Sequence, residues 1–299
     1  MDFRQLEMFL AVAQNLSFTE AGRKLFVAQS AVSRKVRLLE DELGEKLFKR
    51  VNKRVYLTHA GETLASYARR IFLDLRNAAM EVQGIANLTR GRITVGGGMT
   101  ACICLLPPVL ERFKAAYPNV EAVVETGQTD VLLRQIRTNE LDLGVVTLPV
   151  RFPDLKVIPL CKEELVLVCS SKHPKLRHRR SIKSREIPLY PLILWDKRAK
   201  TRTLLDEFFE KNNIEPVIAM ESDSVATIKP LVAANLGASI LPLRAVRQDA
   251  KRGELHYVRI SDYQLTREIG LVFPKTEQLP NVFGRLIELF QEVEQEQSR

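Results

Sequence analysis

The segment from Gln29 to Leu43 constrains this chain more than any other. Read as a helix, it sets Val32, Val36, Leu39 and Leu43 at alternating steps of four and three, a stripe that must be buried. Gln29, Ser30, Ser33, Arg34 and Arg37 then share the opposite face. Just upstream, Leu16-Ser17-Phe18-Thr19-Glu20 announces a second helix: Ser17 caps the backbone, Glu20 returns the bond, and Leu16 staples onto Ala21. The two helices meet at Phe26-Val27-Ala28, which makes a helix-turn-helix. An amphipathic helix through Phe3, Leu6, Leu10 and Ala13 precedes and covers the pair. Gly44 is a left-handed helix stop, and Leu47 to Thr58 reads as a hairpin with a basic tip.

A polar helix face is usually just solvated. Here it is the second helix of a helix-turn-helix beside a basic wing, a context that assigns it to double-stranded DNA. Gln29, Ser33 and Arg34 are the candidates for base edges, because amide, hydroxyl and guanidinium groups match the donor and acceptor pattern of the major groove. Ser30, Arg37, Arg50, Lys53, Arg54 and Thr58 are the candidates for phosphate. Residues 1–90 hold 15 basic against 10 acidic side chains and residues 91–299 hold 30 against 26, so positive charge per residue is concentrated at the front. Such a surplus releases counterions from DNA and makes affinity salt-sensitive.

After a Thr58 cap, a long helix is expected from about Gly61 to Leu88. Leu64, Ala68, Ile71, Leu75, Ala78, Val82 and Ile85 step by four and three in strict alternation, which is a heptad seam. Packing within the chain is the plain alternative. No second heptad segment lies nearby, so the seam favours a second copy of the chain, and a homodimer gives the reading helix a symmetry mate.

Near Thr89-Arg90-Gly91 the pattern changes to alternating strands and helices. Ile93–Val95, the helix at Leu105–Phe113, Val120–Val124, the helix near Val131–Arg137 and Leu141–Val146 predict one βαβαβ unit with a largely parallel sheet. Leu165–Cys169, the helix near Leu204–Phe209, Val217–Met220, the helix near Val225–Asn235 and Ala238–Leu241 predict a second. Ile269–Phe273 and the helix from Val282 return to the first. Ligands of open α/β sheets lie beyond the carboxyl ends of the strands, which here is the cleft between the units. The hydroxyl and amide groups at strand ends and helix starts are the candidates: Thr100, Gln128, Thr129, Ser222 and Ser224, with Thr147 and Thr203 behind them. Converging backbone N–H groups there suit a carboxylate or phosphate without a dedicated cation, although helix capping alone explains each residue equally well.

Other chemistry is weakly represented. Gly96-Gly97-Gly98 lacks the endings of a phosphate loop or a dinucleotide fingerprint. His59, His173, His178 and His256 are scattered, and Cys102, Cys104, Cys161 and Cys169 form no zinc spacing, so neither an enzyme nor a metal or other cofactor is expected. The cysteines read as reduced buried thiols, with redox sensing at Cys102 or Cys104 the alternative. The Lys172–Arg185 run reads as a solvated loop rather than a second nucleic-acid site. Trp195 lines the cleft or fills a core. The start of the chain has no secretory pattern and no apolar run is long enough to cross a bilayer, so a cytoplasmic protein without a membrane partner is expected.

The run "FLAVAQNLSFTEAGRKLFVAQSAVSRKVRLLEDELGEKLFKR" followed by "LTHAGE" resembles the LysR-type bacterial transcriptional regulators. Many of these have a proline after the glutamine where this chain has Ser30. The resemblance implies a multidomain α/β protein: a winged helix-turn-helix (1–58), a linker and dimerisation helix (59–90), and a two-lobed effector domain like periplasmic binding proteins (91–299). Lobe I is expected at 91–161 and 268–299, and lobe II at 162–267. It also implies that Thr100 and Thr129 contact an inducer, that dimers pair into a homotetramer, and that RNA polymerase is a partner. The expected function is transcriptional control gated by a small-molecule effector, an anionic metabolite. The alternatives are a ligand-independent protein that bends DNA as a scaffold and an enzyme carrying a DNA-binding module.

Overall fold

The computed structural model describes residues 1–51, 54–83, 91–275 and 281–297. The chain divides into two compact units, the first built on Met1–Gln83 and the second on the chain beyond it. In the first, α1 (Phe3–Asn15), α2 (Phe18–Lys24) and α3 (Gln29–Leu43) precede a hairpin of β1 (Phe48–Val51) and β2 (Arg54–Leu57), and α4 (His59–Gln83) follows. Asp2 and Gln5 form a capping box on α1, and Ser17 caps α2 by accepting from Glu20 N at 3.3 Å. Glu20 does not return that bond. Its carboxylate pairs with Arg23 at 2.9 Å instead, since a neighbouring cation outcompetes a neutral N–H. Leu16 is the left-handed C-cap of α1 and is exposed, so its expected staple onto Ala21 is not made.

Phe9, Val12, Ala21, Val32, Val36 and Leu39 form the core of this unit. Leu43, the last member of the expected stripe, is exposed beside the helix end at Gly44, where φ is +71°. Gly22 lets the turn close on α2: a Cβ there would stand 2.8 Å from the Val27 carbonyl oxygen. The heptad seam of α4 splits. Ala68, with Leu64 and Ile71 half-buried, packs on the unit's own core, whereas Leu75 is exposed. The in-chain alternative therefore holds for the first turns. Ala78, Val82 and Ile85 lie outside the described side chains.

In the second unit the order is β3 (Gly91–Gly97), α5 (Met99–Cys104), α6 (Leu106–Ala116), β4 (Val120–Thr126), α7 (Thr129–Arg137), β5 (Leu143–Thr147) and β6 (Leu155–Ser170). Then come β7 (Ser181–Ile182), β8 (Leu192–Trp195), α8 (Lys200–Lys211), β9 (Ile218–Ser222), α9 (Val225–Ala233), β10 (Ser239–Pro242) and α10 (Leu243–Lys251). The last elements are β11 (Leu255–Ile260), β12 (Thr266–Pro274) and α11 (Asn281–Gln297). Strands run β4-β3-β5-β12-β6-β11-β7, with β10 also on β6 and β8 paired to β9.

The sheet is mixed rather than largely parallel. β3 is parallel to β4 and β5, but β12 is antiparallel to both β5 and β6, and β10 and β11 are antiparallel to β6. Apolar runs look alike in either sense, so the pattern carried no direction. The long β6 and β12 run side by side through both lobes, with a register shift at Ile269/Gly270. They connect the two lobes, and only the apolar end of β6 is legible in the sequence, because Lys156, Lys162, Glu163 and Glu164 break up its beginning. Each lobe buries its own core: Val95, Val109, Phe113, Leu271 and Phe290 in one, Val166, Leu194, Leu205, Ile228 and Ile240 in the other.

Candidate functional sites

In the first unit α3 starts without a side-chain cap, so no polar residue is used up at its N-terminus. Gln29, Ser30, Arg34 and Arg37 are exposed, and Ser33 is half-buried. Arg34 has no ion pair among the described residues, whereas Arg37 lies 4.0 Å from Asp41. A groove between the start of α3 and the wing is lined by Ser17, Thr19, Gln29, Arg50, Arg54 and Tyr56. Arg50 stands 5.8 Å over the Phe18 ring, an aromatic contact that steadies the cation without neutralising it. Thr58 is less available: its hydroxyl donates to the Lys46 carbonyl at 2.5 Å and accepts from Gly61 N at 3.0 Å. It serves as a cap and a clasp, which removes it from the phosphate candidates. Lys53 lies outside the described residues. Thr19 and Tyr56 were not singled out in the sequence, where nothing marks them as facing this groove.

The cleft of the second unit has a volume of about 80 Å³ and brings together Thr100, Gln128, Thr129 and Thr147 of the expected set. Thr100 sits in the first turn of α5, Gln128 and Thr129 at the start of α7, and Thr147 at the end of β5. The other three are elsewhere. Thr203 is exposed, and Thr201, two residues earlier and only 4% exposed, lines the cleft in its place. Ser222 and Ser224 spend their hydroxyls locally, accepting from Ser224 N at 3.4 Å and Ala226 N at 3.2 Å, so capping wins there. Asp223 between them faces the cleft.

The expectation of a cleft without a dedicated cation is also corrected. Arg267, on β12, lines it, donating from Nε to Glu163 Oε2 at 2.7 Å and from an Nη to Thr201 Oγ1 at 2.8 Å. Both charged residues are buried, so the pair is held by mutual neutralisation rather than by solvent. Trp195 also lines the cleft, while its indole N–H donates to the Ile240 carbonyl at 3.2 Å. Its carbonyl in turn accepts from Arg202, which also binds Glu221 and Asp206. The wall is thereby fixed in place. What the cleft presents is hydroxyls, one amide, a guanidinium paired with Glu163, the Asp223 carboxylate and an aromatic face, a set suited to binding a small polar molecule.

Burial raises the pKa of Cys102 and Cys104, and pushes Cys161 and Cys169 up to about 12. Oxidation begins from the thiolate, so the raised pKa disfavours redox sensing at Cys102 or Cys104, although of the four thiols expected to be buried only Cys169 is, the other three being half-buried. No helix among the described residues is long and apolar enough to cross a membrane.

The family model for the bacterial regulatory helix-turn-helix protein, lysR family, matches residues 3–62, and that for the LysR substrate binding domain matches residues 86–295. The HTH-type transcriptional regulator CfxR of Cupriavidus necator is 30% identical over 267 residues, covering 89% of this chain and 84% of that protein. Among solved structures, a full-length cysteine-to-aspartate variant of OxyR from Pseudomonas aeruginosa superposes with a TM-score of 0.78 at 26% identity, covering 99% of this chain and 95% of that one. Full-length CbnR complexed with target DNA has the same fold, with a TM-score of 0.70 at 23% identity over 98% of this chain and 99% of that one.

Proposed function

The chain belongs to the LysR family of bacterial transcriptional regulators, DNA-binding proteins that respond to a small molecule, and on that premise we propose how its own residues divide the work. Gln29, Ser33 and Arg34 read base edges, while Ser30, Arg37, Arg50 and Arg54 hold phosphates. Arg34 carries this reading, because a cation exposed on α3 without an ion-pair partner among the described residues is free to meet a base.

The effector is small and anionic and is bound unchanged, without cofactor or catalysis. Its charge is met by Arg267, and Thr100, Gln128, Thr129, Thr147 and Thr201 orient it. Glu163 gives up part of its hold on Arg267 when the effector arrives, so binding changes the contact between β6 and β12 where the lobes hinge. Self-association supplies the second reading head. It is supported by the exposed Leu75 on α4 and by the edge strands β4 and β9, which expose Val124, Ile218 and Met220. Uncovered apolar edges of this kind invite a second copy, and two such surfaces permit a homotetramer. Acting on DNA places the protein in the cytoplasm, with RNA polymerase as the partner whose access changes.

The test is recovery of genomic fragments bound by the full chain, followed by affinity measurements on the best fragment and its scrambled version. Tighter binding to the first, altered by one of a panel of small carboxylates and phosphates, is expected. Equal affinity for both would refute the assignment of base-reading residues. A preference that no panel member alters, with no shift in melting either, would refute the anionic effector.

A further inference from the structure

A larger cavity lies in the second unit on the other side of Glu163. It has a volume of about 990 Å³, at the upper end of the range for small-molecule sites. Residues of both lobes line it: Cys104 from α5, Lys162 from the connecting strand β6, and Arg244, Arg247 and Lys251 from α10. Six of the lining side chains are cations and three are acids. The acids are already engaged. Asp249 is held by Lys229 and Arg252, Glu164 by Arg259, and Glu163 by Arg267. Lys162, Arg247 and Lys251 are exposed and make no ion pair among the described residues. The surplus at this cavity is therefore positive and unspent.

Glu163 is the one described residue that lines both this cavity and the effector cleft. Its two oxygens are used unequally. Oε2 accepts from Arg267, while Oε1 is buried, accepts no hydrogen bond among the described residues, and lies 3.6 Å from Arg244 Nε. Arg244 spends its terminal nitrogens on Glu294 of α11. The row Arg267, Glu163, Arg244, Glu294, buried except for the half-buried Arg244, thus alternates in sign and runs from the cleft to the second cavity, with one weak link between Glu163 and Arg244. A buried carboxylate oxygen without a donor is costly and sensitive to where its neighbouring cation moves.

We propose that this cavity is a second ligand site, for a small polyanion such as a phosphorylated or polycarboxylic metabolite, and that Glu163 couples it to the effector cleft. The coupling half rests on the reading of that cleft given above. Lys162, Arg247 and Lys251 supply the charge that holds the polyanion. Its negative charge draws Arg244 outward and away from Glu163. The carboxylate is then left to Arg267 alone, and the change passes to Thr201 and the Trp195 wall of the cleft. Because the cavity is walled by both lobes, its occupant also bears on their relative position.

Two native reporters separate the sites. Cys104 lines the second cavity, and Trp195, the only tryptophan, lines the cleft. Full-length protein is titrated with inorganic pyrophosphate and, separately, citrate. Alkylation of Cys104, carried out at a pH alkaline enough to ionise part of this thiol, is followed by peptide mass spectrometry, and Trp195 by fluorescence. Saturable protection of Cys104 is expected, weakened about tenfold or more in the exposed double variant Arg247→Ser/Lys251→Ser and unchanged in the cleft variant Thr129→Val. A Trp195 response with the same midpoint is expected in wild type and is lost in Glu163→Gln while protection of Cys104 persists. Protection by neither anion, or protection abolished by Thr129→Val and untouched by the double variant, overturns the second site. Protection without any Trp195 response in wild type overturns the coupling and leaves the effector reading standing.

Discussion

The two units handle functional charge in opposite ways. On α3 the side chains assigned to DNA lie within nine consecutive residues, on a face that the fold leaves free, and Arg34 has no ion-pair partner among the described residues. In the effector cleft the central charges are buried and already paired, Arg267 with Glu163 and Thr201, Glu163 with Arg267 and near Arg244, while Asp223 at its edge is exposed. A surface that must meet a polyanion gains from unspent cations. A cavity that must exist without its ligand cannot leave one buried and alone. The first unit can therefore lose a functional charge at little cost in stability, whereas in the second the loss of one partner of the buried pair strands the other.

The largest expected effect tests that contrast directly. Arg267→Ala leaves the buried Glu163 carboxylate without its closest cation and should cost about 3–5 kcal/mol of stability. Trp195 lies in this unit only, so denaturant unfolding of the full chain followed by its fluorescence reads the loss where it occurs. Replacing both partners, Arg267→Met with Glu163→Leu, should recover most of it, because no charge is then stranded. If Arg267→Ala unfolds like wild type, the cleft's charges are not held by each other and the comparison fails.

The same contrast decides what could be read in advance. The helix-turn-helix is local: its stripe, its Ser17 cap and its Gly44 stop sit within a few turns, and the structure returns them almost as written. The cleft is assembled from segments spread between Gly98 and Ile269. Glu163 and Arg267 are 104 positions apart and meet only because β6 and β12 pair antiparallel, a sense that apolar runs do not encode. Thr201 was missed for a narrower reason. Helix α8 starts after Ala199 with no side-chain cap, so no local signal set its phase. Two residues on a helix point about 200° apart, which carried Thr203 to solvent. The seam of α4 serves two covers because a heptad pattern reports that a face is covered, not by what. Ala68 is covered by its own unit.

On the DNA-reading side, Arg34→Ala should weaken binding to the matched operator about tenfold to a hundredfold, with little change on a scrambled one and none in melting. Arg54→Ala, on the wing, should instead weaken both DNAs alike and lower the slope of log affinity against log salt by about 1. Fluorescence anisotropy over a salt series separates them. Identical losses on both DNAs from both variants would break the division between base and phosphate contacts. A drop in melting temperature for Arg34→Ala would show that α3 too depends on its functional side chains.

The smallest effect is the most discriminating about the cleft. Thr129→Val keeps the shape of a half-buried residue and removes one hydroxyl, so it should weaken effector binding by about 1 kcal/mol, roughly fivefold, and leave stability nearly unchanged. Thr203→Val changes an exposed hydroxyl outside the cleft and should do neither. Calorimetric titration with the effector found by the panel compares the two. Equal effects would mean that the hydroxyl ring does not orient the ligand and that Arg267 alone holds it. A loss at Thr129 only would make the neutral groups responsible for selectivity and leave Arg267 to supply attraction, which explains how a cleft for an anion tolerates the Glu163 and Asp223 carboxylates in its wall.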